Sequence, residues 1–548
     1  MKYIRKPGYI LTLAFVAICS FVIGSVTTKE TQAADDLYGG ISLFTGVLRL
    51  VNDNYVEKVE ANTLIYGAIN GMLQTLDPHS NFLNKESFQD MGERFSGNFY
   101  GIGIEFDIID GYLSVISVIE GSPSEEVGLQ SGDRIVKIDG ESSIGIKSDD
   151  VLNKLRGEKG TKVKVSIVRL GLDQPLELTI TRDKVPIRSV RTSFMLDDKT
   201  GYIQMIRFAK TTSDELEESL TKLEALGMKR LILDLRGNSG GYLDQAVEVS
   251  SKFLPEGKLV VQTRGRTRTA NQEFRAVGTS HAGYPLIVLM DHRTASASEI
   301  VAGAIQDWDR GVIVGTRSFG KGLVQTLFSE PYLKDGSALK LTTAKYYTPS
   351  GRLIQRDYKN KSYEDYVEEA FAEEDGADPA ITSAPEEPTS GTEAHPAFKT
   401  AAGRVVYGGG GIAPDVDIKL PKRKYPFIIG KFKGWTPFDR ACFAFANDYG
   451  VANQKLKGDF KTFLKSFELD DTALKSFRTQ VKKQGIVFTD QDFSEDLDVV
   501  KNQLKRSIAR NLWGDEDANR VAAEGDIQLQ KAKALFNTHE ILVNNRLR

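Results

Sequence analysis

Three short, mostly apolar segments punctuate the middle of this chain: Leu231 to Leu235, Leu286 to Met290 and Val312 to Val314. A strand apolar along its length has no side to give to water, so it must be covered on both faces. One helical segment precedes the first of them and another separates the last two. Thr212-Ser213-Asp214-Glu215 forms a capping box ahead of Leu216, Leu220 and Leu223, and Gly227 ends that helix. Glu299 to Trp308 reads as a second helix. Buried strands alternating with helices predict an α/β domain with a largely parallel sheet from about Gly201 onward, beginning with a strand at Tyr202 to Ile206. Leu323 to Ser329 and Ala338 to Tyr347 flank Lys334-Asp335-Gly336 and predict a β-hairpin.

The rest of the chain follows other patterns, and 548 residues are too many for one core. From about Asp36 to Phe99 the spacing of Leu64, Ile65, Ala68, Ile69, Met72, Leu73 and Leu76 is helical, and Asp77-Pro78-His79-Ser80 ends the run. His79, a lone histidine in a turn, reads as structural. Tyr100 to Ile187 changes to short strands and glycine turns around one short helix at Asp149 to Leu155, the pattern of a small β-rich module. Glu364 to Glu393 is acidic and poor in apolar residues, and is expected to be a mobile insertion. After about Lys422 the sequence is mixed and helical, and no chemistry is legible there.

Lys2, Arg5 and Lys6 precede an apolar run from Tyr9 to Val26, which reads as an export signal or signal-anchor, with Thr31-Gln32-Ala33 as the cleavage site. The bulky Ile18 before Cys19 argues against a lipid anchor. Loss of that leader would leave Cys442 as the one cysteine, so no intramolecular disulfide is expected, and Phe438, Phe443 and Phe445 around it suggest a core position. A net charge of −3 gives no basic excess for nucleic acid, and the carboxylates are not grouped as metal ligands.

The chemistry-bearing residues lie in the α/β part. Ser296 precedes a helix, where a serine is ordinarily an N-cap. Its small neighbours Ala295 and Ala297 permit close backbone approach, and the Ala297 amide would point to a developing oxyanion. A serine alcohol needs a base. Lys321 serves only when neutral, a form that burial favours. Phe319, Leu323 and Val324 supply apolar surroundings, and in an extended segment Lys321 and Gln325 share a face, where Gln325 would accept a hydrogen bond from the amine. Asp234 to Gly241 follows a buried strand with a glycine-rich turn that suits a second oxyanion donor; it lacks the Lys-Ser or Lys-Thr of a P-loop. Gly101-Ile102-Gly103-Ile104 opens the β-rich module, where backbone amides can hold a carboxylate and the adjoining strand can accept a peptide.

With Gly121-Ser122-Pro123, Gly128-Leu129, Gly132 to Ile135 and Asp139-Gly140 added, the chain resembles the carboxyl-terminal processing peptidases, PDZ-containing serine proteases with a Ser-Lys pair. The resemblance runs from about Leu43 to Arg356, with a further match at Gly408 to Val416. It implies a crotonase-like α/β protease core with an inserted β-rich PDZ domain, an N-terminal helical region and a C-terminal helical extension. The expected divisions are a leader at 1–33, helices at 36–97, the PDZ module at 98–187, the protease core at 188–420 and the extension at 421–548. It also implies that Ser296, not Ser298, is the nucleophile, Lys321 the base and Gln325 its assistant. Ala297 with Gly240 or Gly241 would form the oxyanion hole, and Gly101 to Ile104 would bind the substrate terminus. Arg156 matches a position that couples PDZ to protease. Expected partners are protein or peptide substrates with free apolar C-termini. Neither metal, organic cofactor nor nucleic acid is implied. Contact with a membrane is expected only through the N-terminal segment, in the periplasm or on the outer face of the cytoplasmic membrane, and self-association stays open. The alternatives are a non-catalytic PDZ scaffold of the cell envelope and an acyl-CoA enzyme of the crotonase type.

Overall fold

The computed structural model describes residues 37–278, 281, 283–359, 361–372, 381–382, 395–420, 436–453, 456 and 458–538. The expected leader lies outside the described residues. The described residues up to Phe82 form one compact unit and those from Leu83 onward another. In the first, residues 37–54 and Ala61–Gln74 are helical. The Asp77 carboxylate then accepts the His79 and Ser80 amides at 2.8 and 2.9 Å, an Asx turn that ends the run.

In the second unit, one sheet is built from β1 (Val190–Met195), β2 (Thr200–Met205), β3 (Arg230–Asp234), β5 (Leu286–Met290), β6 (Val312–Gly315) and β9 (Val416–Ile418) in that order, with residues 381–382 beyond β9. The pairings from β2 to β9 are parallel, whereas β1 and residues 381–382 run antiparallel at the two edges. One face is covered by α1 (Thr212–Ala225), α2 (Leu243–Ser251) and α3 (Ala297–Asp307), with Leu216, Leu220, Leu223, Val249 and Val301 packed on Leu231, Leu233 and Val288. A second, antiparallel sheet sets β4 (Leu259–Gly265) beside β8 (Ala338–Tyr347), and β8 pairs in turn with β7 (Leu323–Phe328) as the expected hairpin.

The opposite face of the first sheet is covered by the end of the chain. Ala523 of α7 (Asp515–Glu524) and Leu529 and Ala532 of α8 (Ile527–Leu535), with Phe536, pack on Ile232, Ile287, Leu289 and Val314. The two-sided burial demanded by β3, β5 and β6 is therefore met by the extension. Each such Leu or Phe is worth about 1.5–3 kcal/mol. The extension also has a core of its own, in which Phe438 and Phe445 of α5 (Pro437–Ala452) and Leu504 and Ile508 of α6 (Leu497–Trp513) meet Phe463, Phe477 and Phe493. Cys442 is buried there and its thiol is pushed well up by burial.

The β-rich module is a sheet ordered Ile104–Ile109, Tyr112–Val118, Arg134–Ile138, Lys162–Val168, Leu176–Thr181, with a helix at Ser148–Leu155. Its entry strand Asn98–Gly101 pairs antiparallel with its exit strand Asp183–Pro186, which closes the insertion at its neck.

One expectation needs correction. The start of the acidic segment is not a mobile insertion: α4 (Tyr363–Ala372) is a helix in which Tyr366 and Ala370 are buried. Tyr366 and Ala370 recur at helical spacing, so the helix has an apolar stripe despite its charge. Residues 373–380 and 383–394 lie outside the described residues. No helix among the described residues is long and apolar enough to cross a membrane.

Candidate active site

The turn between β5 and α3 sets up Ser296. Ser296 has φ +57° and ψ −116°, a conformation that costs a non-glycine residue roughly 1–3 kcal/mol. The surroundings hold it there. Its N–H donates to the Glu299 Oε2 at 2.7 Å, and its carbonyl accepts the Glu299 and Ile300 amides and the Tyr346 hydroxyl, the last at 3.1 Å. Ser296 is half-buried, whereas Ser298 is fully buried and donates its Oγ–H to the Asn238 carbonyl at 3.0 Å. Ser298 thus serves the fold. Ser296 is the less buried of the pair.

Lys321 lies in the loop ahead of β7, not in the strand itself, and its Nζ donates to Gln325 Oε1 at 2.9 Å. The β7–β8 register shifts between Val324 and Gln325, so the expected strict alternation is broken where the contact is made. Leu323, between them, is buried. The loop packs too tightly for side chains: a Cβ on Gly320 (φ +90°) would sit 2.8 Å from the Gly411 nitrogen. This brings the Gly408 to Gly411 run against the lysine loop, where Ser318 Oγ accepts the Ile412 amide at 2.7 Å.

Glu299, which the sequence reading did not single out, joins the two segments. Its Oε1 accepts Ser318 Oγ at 2.6 Å and Gly320 N at 2.7 Å, while Oε2 accepts Ser296 N at 2.7 Å and Lys321 N at 2.9 Å. The backbone nitrogens of Ser296 and Lys321 share one oxygen, so the two residues are held as neighbours. Burial raises the Glu299 carboxyl above its usual value, and the four hydrogen bonds oppose that rise. The clue in the sequence was Ser-x-x-Glu, a capping-box spacing.

The glycine turn after β3 meets the same place. A Cβ on Gly240 (φ +93°) would lie 2.7 Å from the Ala295 carbonyl and 2.8 Å from the Ala297 nitrogen, so only glycine allows this approach. Of the expected oxyanion donors, Gly240 is already committed: its N–H donates to Asn238 Oδ1 at 2.9 Å. Gly241 bridges Phe208 in parallel, the hydrogen bonds being made by the Phe208 and Tyr242 amides. Among the described residues the Gly241 amide has no acceptor. The Ala297 amide, first in α3, is one of the donors a helix leaves unmet. Ala297 and Gly241 therefore fit an oxyanion, and Gly240 supplies the close approach. Buried Asn238 organises the turn, since its Nδ2 also donates to the Met205 carbonyl at 3.0 Å.

Beneath the turn, buried Asp234 accepts Tyr202 Oη at 2.8 Å and pairs with Arg236 at 2.6 Å. Arg236 also pairs with Asp526 at 2.6 Å. Burial opposes its charge, but Asp234 and Asp526 together hold the guanidinium well above its usual range. The extension, in which no chemistry was legible, thus anchors this turn. Among the described residues, no group of three or more His, Cys, Asp or Glu is placed to hold a metal ion.

In the β-rich module, Gly103 has φ +83° and its carbonyl accepts Ser122 Oγ at 3.0 Å, which fixes the Gly101 to Ile104 loop. The strand Ile104–Ile109 is at the sheet edge, paired only with Tyr112–Val118 among the described residues. Arg156, just after the module's helix, pairs with Glu93 at 2.9 Å and Asp90 at 3.4 Å and lies 5.1 Å over the Phe99 ring. It therefore ties the module to the helix Lys85–Ser96.

Residues 199–361 match Peptidase family S41, and residues 114–169 match a PDZ domain. Residues 23–87 match the activating protease CtpB N-terminal domain, and residues 439–514 a family of unknown function. A carboxy-terminal-processing protease of Bartonella bacilliformis is 37% identical over 358 residues, which cover 64% of this chain and 80% of that one. Carboxy-terminal processing protease CtpA of Bacillus subtilis is 35% identical over 356 residues, 63% of this chain and 75% of its own. Among solved structures, the photosystem II D1 C-terminal processing protease aligns at 30% identity and a TM-score of 0.32, over 57% of this chain and 89% of that one.

Proposed function

The chain belongs to peptidase family S41 and is a serine-type endopeptidase of the carboxy-terminal processing kind, and on that premise we propose how its residues divide the work. Ser296 Oγ attacks the scissile carbonyl while neutral Lys321 Nζ takes its proton. The negative charge that develops on the carbonyl oxygen is met by the Ala297 and Gly241 amides. Lysinium then gives the proton to the departing amine, leaving an acyl ester on Ser296, which water hydrolyses with Lys321 again as base. Gln325 aims the lysine amine. The observation that carries this reading is the shared Glu299 carboxylate, which fixes Ser296 and Lys321 side by side, with Lys321 Nζ already 2.9 Å from Gln325 Oε1.

The PDZ module receives the substrate's free C-terminus, with the carboxylate at the Gly101 to Ile104 loop and apolar side chains along the open Ile104–Ile109 edge. Arg156 couples the module's position to the helix Lys85–Ser96 through Glu93. The charged and apolar N-terminal segment supports export to the periplasm or the outer face of the cytoplasmic membrane. Self-association through residues 37–54 is supported by exposed Leu37, Ile41, Phe44 and Leu50, and sedimentation that gives only the monomer mass refutes it.

The decisive experiment uses a quenched peptide with a free apolar C-terminus and a fluorophosphonate probe. S296A and K321A are expected to lose at least about 10³-fold in kcat, by analogy with removal of a nucleophile or its base, and S296A to escape labelling. Turnover of either variant at the wild-type rate overturns the assignment.

A further inference from the structure

A cavity of about 1110 Å³ in the second unit is walled by the PDZ module, by β1 and α1 of the protease core and by α6 of the extension. Ile102, Gly103 and Ile104 open into it, so it is continuous with the proposed tail-binding loop. It exceeds the roughly 300–1,000 Å³ of small-molecule pockets and has room for an extended peptide.

Its charges are unevenly satisfied. Arg94, Arg191, Arg207 and Arg506 line it, and among the described residues none of the four makes an ion pair. Arginine is rarely buried without a partner, yet Arg207 and Arg506 are half-buried and each has a buried Nε with no acceptor. Burial lowers the Arg207 guanidinium, and the charges of Arg191 and Arg94 lower it further. Arg506 is lowered to about 10 by burial and by the charges of Arg510 and Arg191. Arg191 thus stands near both half-buried arginines.

The carboxylates on the same walls are otherwise engaged. Glu215 accepts the Ser189 and Val190 amides and Thr211 Oγ1. Asp439 caps its helix at Thr436, and Asp515 pairs with Arg510. Glu516 pairs with Arg520, and Glu105 accepts Ser117. Glu120, Glu125 and Glu218 are exposed, at the rim. Glu215 and Glu105 offset part of the charge of Arg207, and Asp515 and Asp439 part of that of Arg506, but none of them pairs with the cluster.

We propose that Arg191, Arg207 and Arg506 form a second substrate anchor, which binds acidic side chains of a substrate polypeptide upstream of the C-terminus held by the PDZ loop. The inference rests on the reading of that loop as the tail-binding site. It assigns the helical extension a part in selecting substrates, because Arg506 belongs to α6. Carboxylates are the fitting partners, since a guanidinium presents a planar fork that matches them bidentately. An extended chain that enters along the Ile104–Ile109 edge carries such groups into the same cavity.

The test measures binding to full-length S296A by fluorescence anisotropy, with three peptides that share an apolar C-terminal tripeptide. One carries Glu-Asp-Glu upstream, one Gln-Asn-Gln, and the third is the acidic peptide with an amidated terminus. The acidic peptide is expected to bind at least about tenfold tighter than the neutral one at low salt, with the advantage shrinking as salt rises. In R207Q and R506Q, shown folded by thermal unfolding, that advantage is expected to fall below about twofold. Equal binding of the acidic and neutral peptides overturns the proposal and leaves the PDZ reading intact. Undiminished binding of the amidated peptide overturns the PDZ reading instead. Inorganic phosphate that stabilises wild type but not R207Q, with no acidic preference among the peptides, would make the cluster a small-anion site and also overturn the proposal.

Discussion

Replacing Glu299 with glutamine tests whether the proposed Ser296–Lys321 pair is held by this one carboxylate. An ionised carboxylate only accepts, and here all four partners donate. An amide must turn its NH2 to one pair of donors. The less costly choice faces Ser318 and Gly320, because the Ser318 hydroxyl can rotate to accept. Ser318 Oγ already accepts the Ile412 amide, so that rotation crowds it with two donors. The Gly320 N–H is left against another donor, worth about 1–3 kcal/mol. The bonds from Ser296 and Lys321 lose their charge assistance, about another 1 kcal/mol each. Relief from burying a charge, the cause of the raised Glu299 carboxyl, offsets part of this. A net loss of about 2–4 kcal/mol is expected, centred on the Gly320-Lys321 backbone. A displacement there of about 1 Å is enough to lower kcat by about 10²-fold. KM should stay within about threefold, because the PDZ loop is not involved. The assay is steady-state hydrolysis of the reporter peptide, with calorimetric unfolding on the same preparation. Wild-type kcat in a folded E299Q enzyme would refute the reasoning, and so would a rise in KM with kcat unchanged.

Three shorter predictions follow. S298A removes one buried hydrogen bond to Asn238, so it should cost about 1 kcal/mol in unfolding and keep fluorophosphonate labelling; loss of labelling would move the nucleophile. G240A forces a Cβ to within 2.7 Å of the Ala295 carbonyl at a φ of +93°, so kcat should fall at least about 10²-fold while the far-ultraviolet spectrum is retained. D526N keeps the helix-capping oxygen that accepts Leu529 N at 3.0 Å but loses the 2.6 Å charged bond from Arg236, so chemical denaturation should show a loss of about 2 kcal/mol; an unchanged midpoint would refute the anchoring of the glycine turn by the extension.

What was legible in the sequence depended on how local the determining interaction is. The parallel sheet was legible because Leu231, Leu286 and Val312 begin apolar runs whose burial needs no knowledge of the partner. The Lys321–Gln325 contact was legible because four residues of chain bring the groups together, although the means differ from regular strand alternation. Glu299 was passed over because its spacing from Ser296 reads equally as an ordinary cap, and three of its partners come from another segment. Gly240 and Gly241 could not be told apart, since which amide is consumed depends on the side chain of Asn238. The order of α4 was masked by its glutamates, while the burial of Tyr366 against Phe319, 5.4 Å between ring centres, is a tertiary fact. The sheet's second cover was illegible for the same reason: Leu529 and Phe536 stand some 300 residues from the strand they shield.

That cover bears on how the PDZ module can move. The extension touches both the module and the protease core, but with unequal strength. On the module it offers a half-exposed Arg440–Asp107 pair at 2.6 Å, worth at most about 1 kcal/mol, and Phe443 packed on Ile109 and Ile116, worth about 1.5–3 kcal/mol. On the protease core it offers Leu529 and Phe536, each in that same range, with the buried side of the Arg236–Asp526 pair in addition. The weaker joint is the one to the module. Any shift of the module would therefore break the weaker joint first, leaving Arg506 with the protease while the Gly101 to Ile104 loop moved past it. Amide exchange on the whole chain should therefore be slowest in α8 and β3, and saturating tail peptide should change protection at Phe443 more than at Leu529. Equal changes at both would mean that the extension travels with the module, and the two anchors of a substrate tail would then move as one body.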